Sequence, residues 1–117
     1  MTDIEAEVAR ALCEATGYDA FLEMPAGHAG QLLVVEQTGG GGGFLEPVSL
    51  DVDCWAKEGK GGRKSAKAVA EAVKAAVPGL ESIENVFHPR VENSYRSPDP
   101  DTDRMRYVVQ IELWLCA

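Results

Sequence analysis

The segment that decides the fold is residues 105–116, with the sequence MRYVVQIELWLC. Alternate positions of this segment are apolar: Tyr107, Val109, Ile111, Leu113 and Leu115. The positions between them are mixed: Arg106, Val108, Gln110, Glu112 and Trp114. This period of two predicts a β-strand, on the order of 40 Å long, with one continuous apolar face. Such a strand requires a sheet beside it and a layer of helix over its apolar face.

Residues 46–56 have the same organisation. One set of alternate positions is apolar: Val48, Leu50, Val52 and Cys54. The other set is polar and ends in an aromatic residue: Ser49, Asp51, Asp53 and Trp55. The segment therefore predicts a second strand with one buried and one mixed face.

Two helices are predicted by apolar residues at helical spacing. The first covers residues 3–16, with a capping box formed by Thr2 and Glu5 and a stop at Gly17. The second covers residues 65–77 and ends at Pro78 and Gly79. Its predicted buried stripe is Ala66, Val69, Ala70, Val73 and Val77.

Two further strands complete the pattern. Residues 31–37 contain four consecutive apolar residues, which indicates a strand buried on both faces or in a central position. The other strand lies within residues 82–95, where Pro89 places the middle of the strand at a sheet edge or in a bulge. Residues 18–30, 57–64 and 96–104 are predicted to be connections.

The order of these elements is α-β-β-α-β-β. It predicts one α+β domain over residues 1–117, with a mixed or antiparallel sheet of about four strands and two helices packed on one face.

Composition argues against several classes of protein. Eleven basic and nineteen acidic side chains give a net charge of −8, which disfavours tight binding to nucleic acid. No apolar run approaches the roughly 20 residues of a membrane span. The N-terminal residues do not have the pattern of a signal peptide. Cys13, Cys54 and Cys116 are too widely spaced for a disulfide framework or a zinc site, and we interpret them as small buried residues.

No motif predicts a catalytic, cofactor or metal site. Five consecutive glycines at residues 39–43 are not followed by the Lys-Ser/Thr of a phosphate loop, so they predict a hairpin connection. Asp99, Asp101 and Asp103 are spaced like the first calcium ligands of an EF-hand, but the later ligand positions do not match. We expect these aspartates to set a turn through hydrogen bonds from side chain to backbone.

A family resemblance emerges from the order of several motifs. The strand at residues 48–56, ending in Trp55 and Ala56, precedes an alanine-rich helix. The run Pro98-Asp99-Pro100-Asp101-Thr102 follows, and Arg106 and Tyr107 open the final alternating strand. Over residues 32–115 this succession resembles the tail terminator (tail completion) proteins of bacteriophages with long non-contractile tails.

The resemblance implies a structural, non-enzymatic protein of the virion tail or neck, present in the host cytoplasm before assembly. Subunits of that family form a hexameric ring at the head-proximal end of the tail tube, where the ring ends tube polymerisation and offers a surface to the head. The implied partners are further copies of the chain, the major tail tube protein and a head–tail connector protein. Genomic DNA would pass through without specific binding, and no membrane or cofactor is implied.

Alternation places Trp55 and Trp114 on the uncovered sheet face, and further residues are candidates for these expected surfaces. The candidate contacts with other subunits or the tube are Trp55, Trp114, Phe44, Tyr107 and Arg106. The candidate residues of an acidic lumen are Asp51, Asp53 and Glu112.

Two alternatives remain open. One is another neck component, such as a head–tail joining protein. The other is a small ligand-binding or enzymatic α+β domain that uses Asp51, Asp53 and His28.

Overall fold

The computed structural model describes residues 3–40, 46–102 and 104–116. Its elements are α1 (Ile4–Thr16), β1 (Asp19–Phe21), β2 (Leu32–Gly39), β3 (Pro47–Trp55), α2 (Gly62–Ala76), a 3-10 helix (Val77–Ser82), β4 (Val86–Arg96) and β5 (Arg106–Leu115). The strands form one sheet in the order β1-β2-β3-β5-β4. β1 is parallel to β2 and every other neighbouring pair is antiparallel, so the sheet is mixed.

The α+β class and the two helices on one sheet face are confirmed, but the prediction of about four strands is wrong. The fifth strand is β1, which lies inside the predicted connection 18–30. It has three residues, too few to show a periodicity, and it forms by pairing with the edge of β2.

The core lies between the helices and one face of the sheet. β3 and β5 contribute alternate residues that are at most 1% exposed: Val48, Leu50, Val52, Cys54, Val109, Ile111 and Leu113. Leu33 and Val35 of β2 join them, as do Val8 and Leu12 of α1. The predicted faces of the two long strands are therefore confirmed.

Helix α2 begins three residues earlier than predicted. Its predicted buried stripe is confirmed, since Val69, Val73 and Val77 are at most 1% exposed. The α-helix ends at Ala76, and the chain continues through Pro78 as a 3-10 helix. Leu80 of that 3-10 helix is buried in the same core.

The start of α1 also differs from the prediction. Asp3 is the N-cap residue, and its carboxylate accepts a hydrogen bond from the backbone N–H of Ala6 at 3.2 Å. Thr2, the predicted cap, lies outside the described residues. Gly17 ends the helix in the left-handed conformation, as predicted.

β4 is an edge strand with two irregularities. Its register against β5 shifts between Phe87 and Arg90 and again between Val91 and Asn93. The first shift contains Pro89, and the preceding His88 has a φ of 53°. Pro89 therefore marks both an edge and a bulge, because proline cannot donate a ladder hydrogen bond.

β2 and β3 form the predicted antiparallel hairpin around the glycine run. Gly40 has a φ of 77°, and a Cβ atom there would lie 1.7 Å from the carbonyl oxygen of Pro47. Glycine is therefore required at this position. The rest of the run, residues 41–43, lies outside the described residues.

The prediction that all three cysteines are buried is wrong. All three are free, but Cys54 alone is buried, Cys13 is half-buried and Cys116 is exposed. Within the described part of the chain, no helix combines the length and apolar character needed to cross a membrane.

The cap of α1 can be tested directly. Asp3→Ala should lower the free energy of unfolding by about 1 kcal/mol, because the N–H of Ala6 loses its side-chain acceptor. Asp3→Asn keeps an acceptor and should cost less. Chemical denaturation of the two variants checks this, and equal losses in both would contradict the assigned cap.

Candidate interaction surface

The sheet face away from the helices carries the residues predicted to be functional. We call it the second face, and define it by the strand residues that the pairing between neighbouring strands places side by side on that face. They are Leu32, Val34, Glu36, Ser49, Asp51, Asp53, Trp55, Phe87, Arg90, Asn93, Tyr95, Arg106, Val108, Gln110, Glu112 and Trp114. Both helices lie on the opposite side of the sheet, packed against Leu33, Leu50 and Ile111.

An aromatic row crosses one end of the second face. Trp114 of β5 pairs with Pro47 on one side and with Phe87 on the other. Trp114 is half-buried and Phe87 is 45% exposed. This end of the face therefore presents apolar surface to solvent, in agreement with the predicted position of Trp114 on the second face.

The opposite end of the face is closed by the chain itself. Trp55 lies on the second face, as predicted, but it is only 6% exposed. Its indole packs with Leu32, Val34 and Phe21 in a second, smaller apolar cluster. The expectation that this face is uncovered is wrong at Trp55, because the neighbouring strands and an arginine pair enclose the side chain.

Two arginines lie over the indole ring. The guanidinium carbon of Arg106 is 4.9 Å from the ring centroid of Trp55, and that of Arg104 is 5.7 Å away. Both distances are within the range of a cation–π interaction. Arg106 also donates to the carbonyl oxygen and the hydroxyl of Ser97, both at 3.0 Å. Its side chain is thus engaged inside the subunit.

Arg104 joins three segments that are distant in sequence. Its Nε donates to the carbonyl oxygen of Ala56 at 2.8 Å, its Nη1 to that of His28 at 2.9 Å and its Nη2 to that of Gly30 at 2.7 Å. The side chain is 9% exposed. The planar fork of donors suits this task, because one side chain satisfies three carbonyl groups in fixed directions. The sequence predicts only a connection at Arg104, and no local motif indicates this role.

The carboxylates predicted to line a lumen lie in the middle of the second face. Asp51 and Asp53 are half-buried on β3, and Glu112 accepts a hydrogen bond from Arg90 at 2.7 Å. Asp53 lies 3.9 Å from Arg106. Burial raises the pKa of Asp53, Arg106 opposes the rise, and the nearby acidic side chains Asp51 and Glu36 add to it.

The remaining candidate residues occupy different positions. Tyr107 packs partly against the main core, on the helix side of the sheet. Phe44 lies outside the described residues. The subunit and tube contacts predicted for Trp55, Trp114, Phe44, Tyr107 and Arg106 therefore remain predictions.

His28 does not join the two strand aspartates in a reactive set. Its Nε2 lies 3.0 Å from Asp19 Oδ2, and its ring meets Phe21 edge-on at 5.6 Å. Within the described part of the chain, His28 forms no hydrogen bond or ion pair with Asp51 or Asp53. His28 Nδ1 and Trp55 Nε1 are buried without a hydrogen-bond partner in that part of the chain.

The aspartate run forms the turn that the sequence predicted. Asp99 accepts hydrogen bonds from the backbone N–H of Asp101 at 3.0 Å and from the hydroxyl of Thr102 at 2.7 Å. These bonds lower the pKa of Asp99. Asp103 lies outside the described residues. Within the described ranges, no group of three or more potential ligands could hold a metal ion.

The fold and this surface define a class: a small α+β domain with a single sheet, closed by helices on one side and polar and aromatic on the other. Residues 23–115 match the family model for tail completion protein gp17. The match covers most of the chain, so the chain belongs to the tail completion protein gp17 family, a family of bacteriophage tail structural proteins. No curated protein matches the chain. The predicted relationship to phage tail completion proteins is thereby confirmed, and so is a place in the virion tail.

The role of Arg104 can be tested by substitution. Arg104→Met should lower the free energy of unfolding by about 3 kcal/mol, because three carbonyl groups lose a charged donor. Arg104→Lys should lose less, since the ammonium group retains the charge but not the fork. Arg63→Met, at an exposed position on α2, is the control and should change stability little. Equal stability of Arg104→Met and the control in urea denaturation would show that the three hydrogen bonds of Arg104 do not stabilise the fold.

The raised pKa of Asp53 predicts how the free energy of unfolding depends on pH. Between the ordinary aspartate pKa of about 3.9 and the higher pKa of folded Asp53, the native state binds more protons than the unfolded state. The contribution of Asp53 to stability is therefore present below this window and is lost as pH rises through it. Asp53→Asn cannot ionise and should gain stability relative to the wild type over the same window.

The measurement is the difference in unfolding free energy between Asp53→Asn and the wild type at a series of pH values. Ser49→Ala, on the same strand and face, is the control and should give a difference independent of pH. An Asp53→Asn difference that falls with rising pH would mean that the attraction of Arg106 outweighs burial.

Proposed function

We propose that this tail completion protein forms a ring at the head-proximal end of the tail tube, stops further addition of tube protein and provides the surface to which the head is joined. The observation that carries the proposal is the family match over residues 23–115. The proposed partners are further copies of the chain, the tube protein and a head–tail connector. The family resemblance implies that six copies form the ring.

The architecture supports a role in assembly. Helices bury one face of the sheet in the subunit core, whereas the second face has no helix over it among the described residues. The exposed apolar end of that face, at Phe87 and Trp114, suits a protein–protein contact, since aromatic residues are enriched in interface hot spots. Trp114 is therefore a better candidate anchor than the enclosed Trp55.

The charge of the second face supports an inner position in the ring. Four acidic side chains lie on it: Glu36, Asp51, Asp53 and Glu112. Arg90 and Arg106 are the two basic ones, and each lies within 3.9 Å of an acidic side chain on that face. A surface of this kind offers few free cations to phosphate groups, so DNA could pass along it without being retained. We assign Asp51, Asp53 and Glu112 to this surface.

The test is deletion of the gene from the phage that encodes the chain, followed by electron microscopy of negatively stained particles. Loss of a terminator should give abnormally long tails or tubes, because nothing stops addition of tube subunits. Supplying the wild-type chain in trans should restore normal tails. Normal tails detached from heads would instead identify a head–tail joining protein, and normal complete virions would contradict both functions.

A further inference from the structure

The exposed apolar residues of the subunit are not scattered. Five large hydrophobic side chains in the described part of the chain are at least 36% exposed: Leu22, Met24, Phe87, Val91 and Tyr95. Leu22 and Met24 directly follow β1, and the other three are on β4. β1 and β4 are the two edge strands of the sheet. Exposed apolar surface is thus concentrated at opposite edges of one sheet, and such surface commonly marks an interaction site.

The two edges are also level with each other. One line of paired residues crosses all five strands from Ala20 through Leu33, Cys54 and Tyr107 to Arg96. The adjacent line runs from Phe21 through Val34, Asp53 and Val108 to Tyr95. The short strand β1 and the regular end of β4 therefore lie at the same height along the sheet.

Strand direction makes the edges complementary. β1 is parallel to β2, and three antiparallel pairings separate β2 from β4, so β1 and β4 run in opposite directions. A second copy that keeps the same strand direction would bring its β1 antiparallel to β4 of the first copy. Among the described residues, each edge strand has one side without a strand partner. Antiparallel pairing of edges is a common way for sheets to extend between chains.

Charge favours the same arrangement. Asp19 and Glu23 are exposed at the β1 edge. Arg90 and Arg96 are exposed at the β4 edge. Arg90 is already paired with Glu92 and Glu112, whereas Arg96 forms no ion pair with any described residue. The unpaired Arg96 would attract the acidic β1 edge of a second copy and orient the encounter.

We propose that β4 of one subunit pairs with β1 of a second copy, with Tyr95 next to the second copy's Phe21 position and Arg96 next to its Ala20 position. Leu22 and Met24 of the second copy complete the contact against the apolar residues of β4. The contact joins two different surfaces, so its repetition closes a ring where the rotation between neighbouring subunits divides a full turn evenly, and gives an open filament otherwise. This proposal rests on the self-association included in the proposed function and names the surfaces that perform it.

Cysteine crosslinking tests the pairing. The variant Ala20→Cys, Arg96→Cys is made in a chain with Cys13→Ser and Cys116→Ser; Cys54 can stay because its thiol is buried and its pKa is raised by burial. Directly opposite residues on paired strands have Cβ atoms about 5 Å apart, within reach of a short thiol crosslinker. The protein is treated both in solution and on purified tails.

A ladder of covalent dimers and higher multimers is expected from the double variant. Mixing the two single variants should give one dimer, and neither single variant should crosslink alone. Ala20→Cys, Phe87→Cys is the matched control, because residue 87 lies roughly 25 Å away along the same edge strand and should give no product.

The other outcomes separate the contact from the function. Dimers from Arg96→Cys alone would show a two-fold contact between β4 strands and overturn the proposed pairing. Protein that is oligomeric, or present on tails, but gives no crosslink between residues 20 and 96 would overturn the pairing and leave the tail function intact. Protein that is monomeric in solution by light scattering and absent from purified tails would overturn both.

Discussion

The structure depends on the pairing of β3 with β5. Nine consecutive residue pairs join them, from Pro47 with Trp114 to Trp55 with Arg106. Because the side-chain period is two, this register places the alternating apolar positions of both strands, Leu50 and Ile111 among them, on the helix side. A slip of one residue would move Leu50 out of the core and bring Asp51 into it, next to the apolar stripes of the helices. The remaining elements either extend this pair sideways or cover it.

Most of the fold could be predicted from the sequence because its long elements have strong periodicity. The buried residues of α2 and the two faces of β3 and β5 follow from spacing alone. β1 could not be found in this way, since three residues carry no period and the strand exists only because β2 offers it an edge. The cap of α1 was assigned one residue too early, since Thr2 and Asp3 are both good capping residues.

The candidate site was predicted less well, because alternation gives the face of a residue but not what covers it. Trp55 lies on the expected face and is nevertheless enclosed. The sequence does contain an indication of this enclosure. Leu32 and Val34 make the second face of β2 apolar, so this part of the face must be covered by another apolar side chain. Trp55 is the large apolar residue opposite Leu32. Phe87 and Tyr95 are exposed because β4 is an edge strand, a position that Pro89 indicates in the sequence without showing which of its apolar residues face solvent.

The three surfaces of the subunit have different physical demands. The helix-covered face requires close apolar packing, so its residues are constrained by stability. The centre of the second face requires only polar side chains, such as the half-buried Asp51 and Glu112. The edges need unpaired backbone groups and exposed apolar side chains, which are hazardous in a chain that works alone. The proposed pairing of β4 with β1 of a second copy would cover both edges, which run in opposite directions.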